Sequence, residues 1–229
     1  MEKQLSNAFS LLAFADDEDG LPSSSSSSSS SAGKQGERVV EDVGNYKQPL
    51  VWIDLEMTGL NIEVDRILEI ACIITDGQLT KSVEGPDLVV YQTKDCMDKM
   101  GDWCQTHHGD SGLTKKVLSS TISERQAEQE VIKFVKKHVG NENPQLAGNS
   151  VYVDFLFLKK YMPDLAALFP HVLVDVSSVK SLCSRWFPRD KNRAPAKKNN
   201  HRAMDDIRES IKELKYYKET IFKANKGRR

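Results

Sequence analysis

The sequence predicts an α/β domain built on a mixed central sheet with helices on its flanks. Three apolar, strand-like runs come first in the globular part of the chain, and helical patterns then alternate with single short runs. That order is typical of a sheet that contains both antiparallel and parallel strands. No stretch approaches the roughly 18 uninterrupted apolar residues that cross a bilayer, which excludes a membrane-spanning protein.

The predicted strands are short apolar segments bounded by turn residues. Residues 50–55 are LVWIDL and residues 66–75 are RILEIACIIT, and both compositions are typical of buried strands. A third strand is predicted at residues 88–92, after a turn at Gly85-Pro86. Two further short strands are predicted at residues 145–147 and 172–176.

Four helices are predicted after the first three strands, over residues 124–138, 154–161, 178–186 and 202–222. The first of them follows Ser123, a preferred N-cap residue, and carries the apolar residues Val131 and Val135 one turn apart. Pro163 limits the second helix, because proline disrupts a helix interior. Loops are predicted over residues 140–144 and 189–200.

The chain divides by composition into a leader, a domain and a short tail. Residues 1–45 carry a net charge of −5 and contain an unbroken serine run at residues 23–31, so we predict a disordered acidic leader. Residues 46–225 form the predicted domain, and residues 226–229 are a basic tail. Everything after residue 45 carries a net charge of +4, which permits a polyanionic ligand without requiring one.

The cysteines and the start of the chain bear on the compartment. Cys72, Cys96, Cys104 and Cys183 show no CxxC pairing, which argues against a zinc site or a disulfide framework and favours a reducing compartment. The leader is acidic and has no arginine before Arg38, unlike an organelle transit peptide. We therefore predict a cytoplasmic location, with mitochondria as the alternative.

Two acids at the end of the first strand are the first chemical signal. Asp54 and Glu56 are two residues apart, and the period of a strand points both side chains to the same face. Two like charges beside a buried strand repel each other unless a cation lies between them. The alternative is that this strand end is simply solvated.

Other acids begin the predicted helices, each with an ordinary explanation when taken alone. Asp154 opens one helix, and Asp205 and Asp206 open the last one, where acids complement the positive helix end. His201, in the loop before that helix, would alone be a surface histidine. Together, acids from separate elements and one histidine form an all-oxygen site that suits Mg²⁺ or Mn²⁺. Two such ions would support phosphoryl chemistry, with the histidine accepting a proton.

Three motifs carry a resemblance to a known family. VWIDLEMTGL at residues 51–60, GNSVYVD at 148–154 and HRAMDDIRES at 201–210 closely resemble the oligoribonuclease family, in particular its plant or other eukaryotic members. That family belongs to the proofreading-type 3′–5′ exonucleases with four acids and a histidine. The resemblance covers about residues 46–225 and implies a ribonuclease H-like exonuclease fold.

The motifs imply a catalytic set by position. Asp54, Glu56, Asp154 and Asp206 match the four acids that hold two divalent ions, Mg²⁺ or Mn²⁺. His201 lies five residues before Asp206, as the general base of the family does. The resemblance therefore implies hydrolysis of RNA from its 3′ end to 5′-mononucleotides.

The resemblance also implies substrate contacts. Leu60 matches a leucine that wedges against the bases, and Trp103 matches a tryptophan on which a base stacks, which is a natural use of an aromatic face. His107 matches a histidine near the substrate. Ser150 and Ser177 match hydroxyls that cap the 5′ phosphate, so the implied substrate is single-stranded RNA of two to five nucleotides.

One pair of positions departs from the family pattern. Members commonly carry Tyr-Arg seventeen and eighteen residues after the third acid, and these residues reach the partner's site in a homodimer; here they are His171 and Val172. We therefore expect His171 at the partner's site and a phosphate cap without its arginine. Two rival hypotheses are a less length-selective exonuclease that also degrades DNA and a binding module without turnover. Leu60 and Trp103, as a narrow two-base slot, argue against the first rival, and the complete set of acids argues against the second.

Overall fold

The computed structural model describes residues 46–196 and 202–222, so the predicted leader and tail lie outside the described residues. Within these ranges five strands form one sheet in the order β3-β2-β1-β4-β5. Their bounds are β1 (Leu50–Met57), β2 (Ile67–Thr75), β3 (Ser82–Val89), β4 (Gln145–Gly148) and β5 (Val174–Asp175). β1, β2 and β3 pair antiparallel, whereas β4 and β5 add to β1 in parallel. The prediction of a mixed sheet is confirmed.

Helices cover both faces of the sheet. The bounds in the described ranges are α1 (Lys94–Asp98), α2 (Asp102–Asp110), α3 (Leu113–Ser119), α4 (Glu124–Val139), α5 (Tyr152–Tyr161), α6 (Pro163–Ala166), α7 (Val176–Trp186), α8 (Pro188–Lys191) and α9 (Ala203–Thr220). The four predicted helices correspond to α4, α5, α7 and α9. Ser123 caps α4 as predicted, in a reciprocal capping box with Gln126. Part of the predicted loop 189–200 is instead helix α8.

The predicted third strand was misplaced. The strand begins at Ser82, and Gly85 and Pro86 lie inside it rather than in a turn. β3 is an edge strand, where a proline can be tolerated without a donor to the ladder. Gly85 is required because a side chain there would collide with the ring of Phe134 on α4. The predicted strand at 172–176 is also shorter than expected, since β5 is two residues long.

β1 separates two buried apolar clusters and thereby decides which way its acids point. Val51, Ile53 and Leu55 belong to the cluster that includes α4 and α5. Leu50 and Trp52 belong to the opposite cluster, together with the first turns of α9. Asp54 and Glu56 continue the even-numbered series, so their side chains lie on the face covered by α9.

Candidate active site

Three carboxylates from β1 and α9 meet at one end of the sheet. Asp54 and Glu56 come from the last half of β1, and Asp206 comes from the first turn of α9, which packs on β1 and β2. One ligand oxygen of each lies within 4.8 Å of the others. The structure therefore brings together three of the acids that the sequence analysis singled out.

The fourth predicted acid, on α5, contacts the same strand but does not belong to this group of three among the described residues. Asp154 is buried in the first turn of that helix, and its Oδ1 accepts a hydrogen bond of 3.0 Å from the Leu55 N–H. Leu55 separates Asp54 from Glu56, so this bond attaches Asp154 to the strand segment that carries both acids. Burial raises the pKa of Asp154 to about 8, against an ordinary value of 3.8, and the nearby charge of Asp175 adds to the rise.

The site has an excess of negative charge. The pKa of Glu56 is raised well above its ordinary value, first by burial and then by the charges of Asp206, Glu69 and Asp154. The opposing effect of Arg202 is the smallest of the causes. Hard divalent cations prefer such oxygen ligands, and they would offset the neighbouring negative charges that add to the rise in the Glu56 pKa. The donor set therefore fits Mg²⁺ or Mn²⁺.

A buried ion pair beside the acids was not predicted. Glu69 lies directly across from Glu56 on β2 and is fully buried. The Arg202 guanidinium donates to both of its carboxylate oxygens, from Nε at 3.1 and 3.2 Å. Arg202 is the N-cap residue of α9, so the pair ties β2 to the start of the helix that carries Asp206. The available sequence signal for this ion pair was Glu69, a single glutamate within a largely apolar strand sequence. His201, the preceding residue, lies outside the described residues.

The loop after β1 carries Leu60, which is half-buried. Asp65 holds this loop, since its carboxylate accepts hydrogen bonds of 2.8 Å from the Thr58 hydroxyl and the Asn61 N–H. The same carboxylate lies so close to Gly59 that a Cβ there would overlap it. The sequence analysis did not predict a role for Asp65. The glycine in this motif was the available signal, because glycine permits a neighbouring side chain to approach the backbone closely.

Trp103 and His107 form a stacked pair on α2. Their ring centroids are 3.8 Å apart with an interplanar angle of 20°, and His107 Nδ1 donates to the Trp103 carbonyl at 2.8 Å. Trp103 remains 36% exposed, which leaves aromatic surface for a ligand.

His108, the next residue, was not predicted. It is buried, and its Nε2 donates to the Met57 carbonyl at 2.9 Å. Its Nδ1 lies 3.9 Å from Glu56 Oε2, so α2 is packed against the acidic end of β1.

Ser150 and Ser177 are brought together by Asp175. Asp175 Oδ1 accepts hydrogen bonds from both serine N–H groups at 2.9 Å and from the Ser177 hydroxyl at 2.6 Å. His171 and Val172 lie on the surface just before β5, with Val172 51% exposed. His171 is not part of the three-carboxylate group that could hold a metal among the described residues.

Solved structures support the fold. A zinc-bound complex of E. coli exonuclease I with single-stranded DNA superposes with a TM-score of 0.58 at 16% identity. The match covers 77% of this chain and 42% of the exonuclease I chain. The exonuclease I of Methylocaldum szegediense gives a TM-score of 0.58 at 17% identity, over 76% of this chain and 41% of that one. The likeness at this identity concerns the fold, a ribonuclease H-like exonuclease fold as the sequence predicted.

Sequence comparisons show the family. Residues 51–214 match the family RNase_T, described as exonuclease. An oligoribonuclease of Arabidopsis thaliana is 77% identical, over 97% of this chain and 99% of the relative. A mitochondrial oligoribonuclease of Homo sapiens is 48% identical over 83% and 84%, and an oligoribonuclease of Haemophilus influenzae is 49% identical over 78% and 98%. The chain therefore belongs to the oligoribonuclease family of exonucleases.

Proposed function

We propose that this protein is a 3′–5′ exoribonuclease that hydrolyses short oligoribonucleotides, down to dinucleotides, to 5′-mononucleotides. The observation that carries the proposal is the cluster of three carboxylates from β1 and α9, with Asp154 beside it. The name of the Arabidopsis thaliana relative supports short RNA as the substrate class.

The acids and the histidine have different roles in the proposed reaction. Asp54, Glu56, Asp154 and Asp206 would hold two divalent ions, Mg²⁺ or Mn²⁺, which when bound stabilise the attacking and leaving oxygens of a phosphodiester displacement. His201 takes a proton from the attacking water as general base. The Arg202–Glu69 pair holds the start of α9, which keeps Asp206 in register with the β1 acids.

Binding of the bases is assigned to two elements. The exposed face of Trp103, already stacked on His107, offers a surface for one base, because base–aromatic stacking tolerates any sequence. Leu60 would contact a base from the loop that Asp65 holds. Trp103 is stacked on His107, and Asp65 holds the loop that carries Leu60, so little ordering would be needed on binding.

Length selection is assigned to the serines and to a second copy of the chain. Ser150 and Ser177 cap the 5′ phosphate, and His171 of a partner subunit faces that site in a homodimer. Several large apolar side chains support such an interface, since they lie one turn apart on two helices and are exposed: Tyr152 and Leu156 on α5, Leu182 and Trp186 on α7.

The remaining assignments concern the organisation and location of the chain. Residues 46–225 form the exonuclease domain in this proposal, and they contain the matched segment 51–214. Within residues 46–196 and 202–222, no helix is both long and apolar enough to cross a membrane. We assign the protein to the cytoplasm, with mitochondria as the alternative because relatives from Homo sapiens and Mus musculus are named mitochondrial.

A labelled RNA ladder of two to ten nucleotides, with a DNA ladder of the same sequences, tests the proposal. Each ladder is incubated with Mg²⁺, Mn²⁺ or chelator, using wild type and Asp54→Asn. We expect the shortest RNAs to be degraded fastest, with no turnover in chelator or in the variant. Equal rates on DNA would favour the less selective exonuclease, and binding without turnover in every arm would favour the non-catalytic module.

A further inference from the structure

Asp175 is the residue on which the two candidate phosphate-capping serines converge. A single oxygen of its side chain, Oδ1, accepts hydrogen bonds from the Ser150 N–H, the Ser177 N–H and the Ser177 hydroxyl. The serines are 27 positions apart in sequence. Each backbone nitrogen lies 2.9 Å from Asp175 Oδ1, so the two nitrogens are separated by at most twice that distance.

The carboxylate joins two elements that the sheet only brings near each other. Asp175 ends β5 and pairs with Gly148 at the end of β4, and it is also the N-cap residue of α7. Ser150 lies in the connection from β4 to α5, and Ser177 lies in the first turn of α7. Asp175 therefore fixes the relative position of a connection and a helix that contribute one serine each.

The backbone of Ser150 needs such support. Its φ angle is +53°, in the left-handed region that a residue with a side chain seldom adopts. A conformation of that kind persists when surrounding contacts hold it, and the bond from the Ser150 N–H to Asp175 is one such contact. Both backbone bonds remain if the Ser177 hydroxyl turns its hydrogen from Asp175 towards a phosphate oxygen.

We propose that Asp175 is a positioning residue that sets the length preference of the enzyme by holding Ser150 and Ser177 at the spacing needed to cap a 5′ phosphate. This inference rests on the proposed function. It assigns no contact between Asp175 and the substrate, and its effect is therefore exerted through the two serines.

Asp175→Ala and Asp175→Asn are compared on RNAs of two and five nucleotides, each with a 5′ phosphate. Asp175→Ala removes the acceptor, and we expect KM for the dinucleotide to rise about tenfold with kcat changed less than about threefold. The five-nucleotide RNA should show little change in KM. Asp175→Asn keeps an acceptor oxygen in the same place and should restore most of the preference.

Asp76→Ala is a matched control. The Asp76 carboxylate also accepts from two N–H groups and a hydroxyl, those of Thr80 and Lys81, but it follows Thr75 at the opposite end of β1 and β2 from the acids. This variant should lose stability without any change in length preference. A length effect of equal size in Asp76→Ala would overturn the inference, since a general loss of stability would then explain it.

Two further variants separate the possible failures. Asp175→Ser keeps a capping oxygen for α7 but is one bond too short to hold Ser150 as well, so it should reproduce part of the length effect even if Asp175→Ala does not fold. Ser177→Ala removes a capping hydroxyl directly. A length preference lost in Ser177→Ala but kept in both Asp175→Ala and Asp175→Ser overturns this inference and leaves the proposed function intact. A preference unchanged in all of these variants overturns the serine cap itself, whereas an absence of RNA turnover in wild type overturns the proposed function.

Discussion

At the scale of single residues, two groups of carboxylates in and near the candidate site have different surroundings. Asp54, Glu56 and Asp206 converge, and the charge of Asp206 adds to the rise in the pKa of Glu56, which suits this group to a cation. Asp65 and Asp175 instead accept hydrogen bonds from backbone N–H groups and hydroxyls, and so each holds a segment in place. We call this second group the supporting carboxylates. The distinction gives each acid a separate test.

The adjacent pair Asp205 and Asp206 provides the sharpest of these tests. Asp206→Asn should reduce turnover by more than about 100-fold, because a neutral amide cannot offset divalent charge. Asp205 pairs with Arg208 at 2.8 Å and lies outside the carboxylate cluster, so Asp205→Asn should stay within about threefold of wild type. Single-turnover rates at saturating Mg²⁺ distinguish the two. A reversed order would mean that α9 presents the other acid to the site.

His201→Ala should lower the rate of the chemical step by about 10²–10⁴-fold while leaving substrate affinity nearly unchanged. The acid limb of the pH–rate profile should disappear with the imidazole. His138→Ala on α4 is a matched control, since that imidazole is engaged with the Phe134 carbonyl of its own helix. A profile identical to that of wild type would return His201 to the role of a surface histidine.

Asp154 should make the metal-free protein sensitive to pH. Burial raises its folded-state pKa to about 8, so the folded protein binds this proton more tightly than the unfolded chain does. The free energy of unfolding should therefore fall as pH rises from about 4 to about 8, by linkage. Asp154→Asn cannot titrate and should lose that part of the decline. Urea unfolding of both proteins in chelator at pH 5, 7 and 9 measures the difference, which must grow with pH.

At the scale of elements, the sequence predicted those whose pattern is long and regular. β1, β2, α4 and α9 appear at their predicted places within about two residues at each end. α2 was missed because it buries only Cys104 and His108 among its described residues, too few to set a helical period. Gly85 and Pro86 lie in an edge strand and not in the predicted turn, and no local sequence pattern indicates this because Gly85 packs against Phe134, which is distant in sequence.

Some residues of the candidate site could likewise be predicted from the sequence, and others could not. The candidate metal-binding acids were predictable from spacing and motif, because they lie at the ends of regular elements. The Arg202–Glu69 pair joins residues 133 positions apart, and neither residue has a local pattern that reveals the other. Asp175 was overlooked for the same reason, since its partner Ser150 is 25 positions away.

The contact of β3 with α4 predicts different outcomes for two glycine substitutions. Gly85→Ala places a methyl group against the Phe134 ring and should destabilise the fold by about 1–3 kcal/mol. Gly109 lies within α2 with open space around it, so Gly109→Ala should stabilise the protein by about 0.5–1 kcal/mol. Thermal and urea unfolding measure both. If Gly85→Ala leaves stability unchanged or raises it, the packing of Phe134 on β3 is not as described.

At the scale of the whole molecule, the departure at His171 and Val172 concerns assembly. Both residues are exposed in the single chain, and under the proposed function they act at the site of a second copy. The valine side chain donates no hydrogen bond to a phosphate, whereas an imidazole donates one and, when protonated, adds a positive charge. The proposed homodimer would therefore have a weaker cap than relatives that carry the arginine.

Val172→Arg should strengthen the preference for dinucleotides by about tenfold or more, because a hydrogen bond to a charged group is worth about 1.5–3 kcal/mol. His171→Ala should weaken it. The measurement is the ratio of kcat/KM on two- and five-nucleotide RNA, at protein concentrations where light scattering establishes the dimer. The same ratio for wild type and both variants would place these positions outside the site.

The bulge at the end of β1 has a consequence for how the gene can vary. The pairing of β1 with β2 shifts between Glu56 and Met57, directly after the two acids. Successive strand side chains alternate between faces, so deleting or inserting one codon upstream of the bulge would turn Asp54 and Glu56 into the apolar layer beneath α4 and α5. Downstream of the bulge the chain leaves the ladder, and a length change there would displace Leu60 without inverting the acids. Insertions and deletions within β1 before Met57 should therefore abolish activity through the acids, whereas those after Met57 should impair the placement of Leu60 and leave the orientation of the acids unchanged.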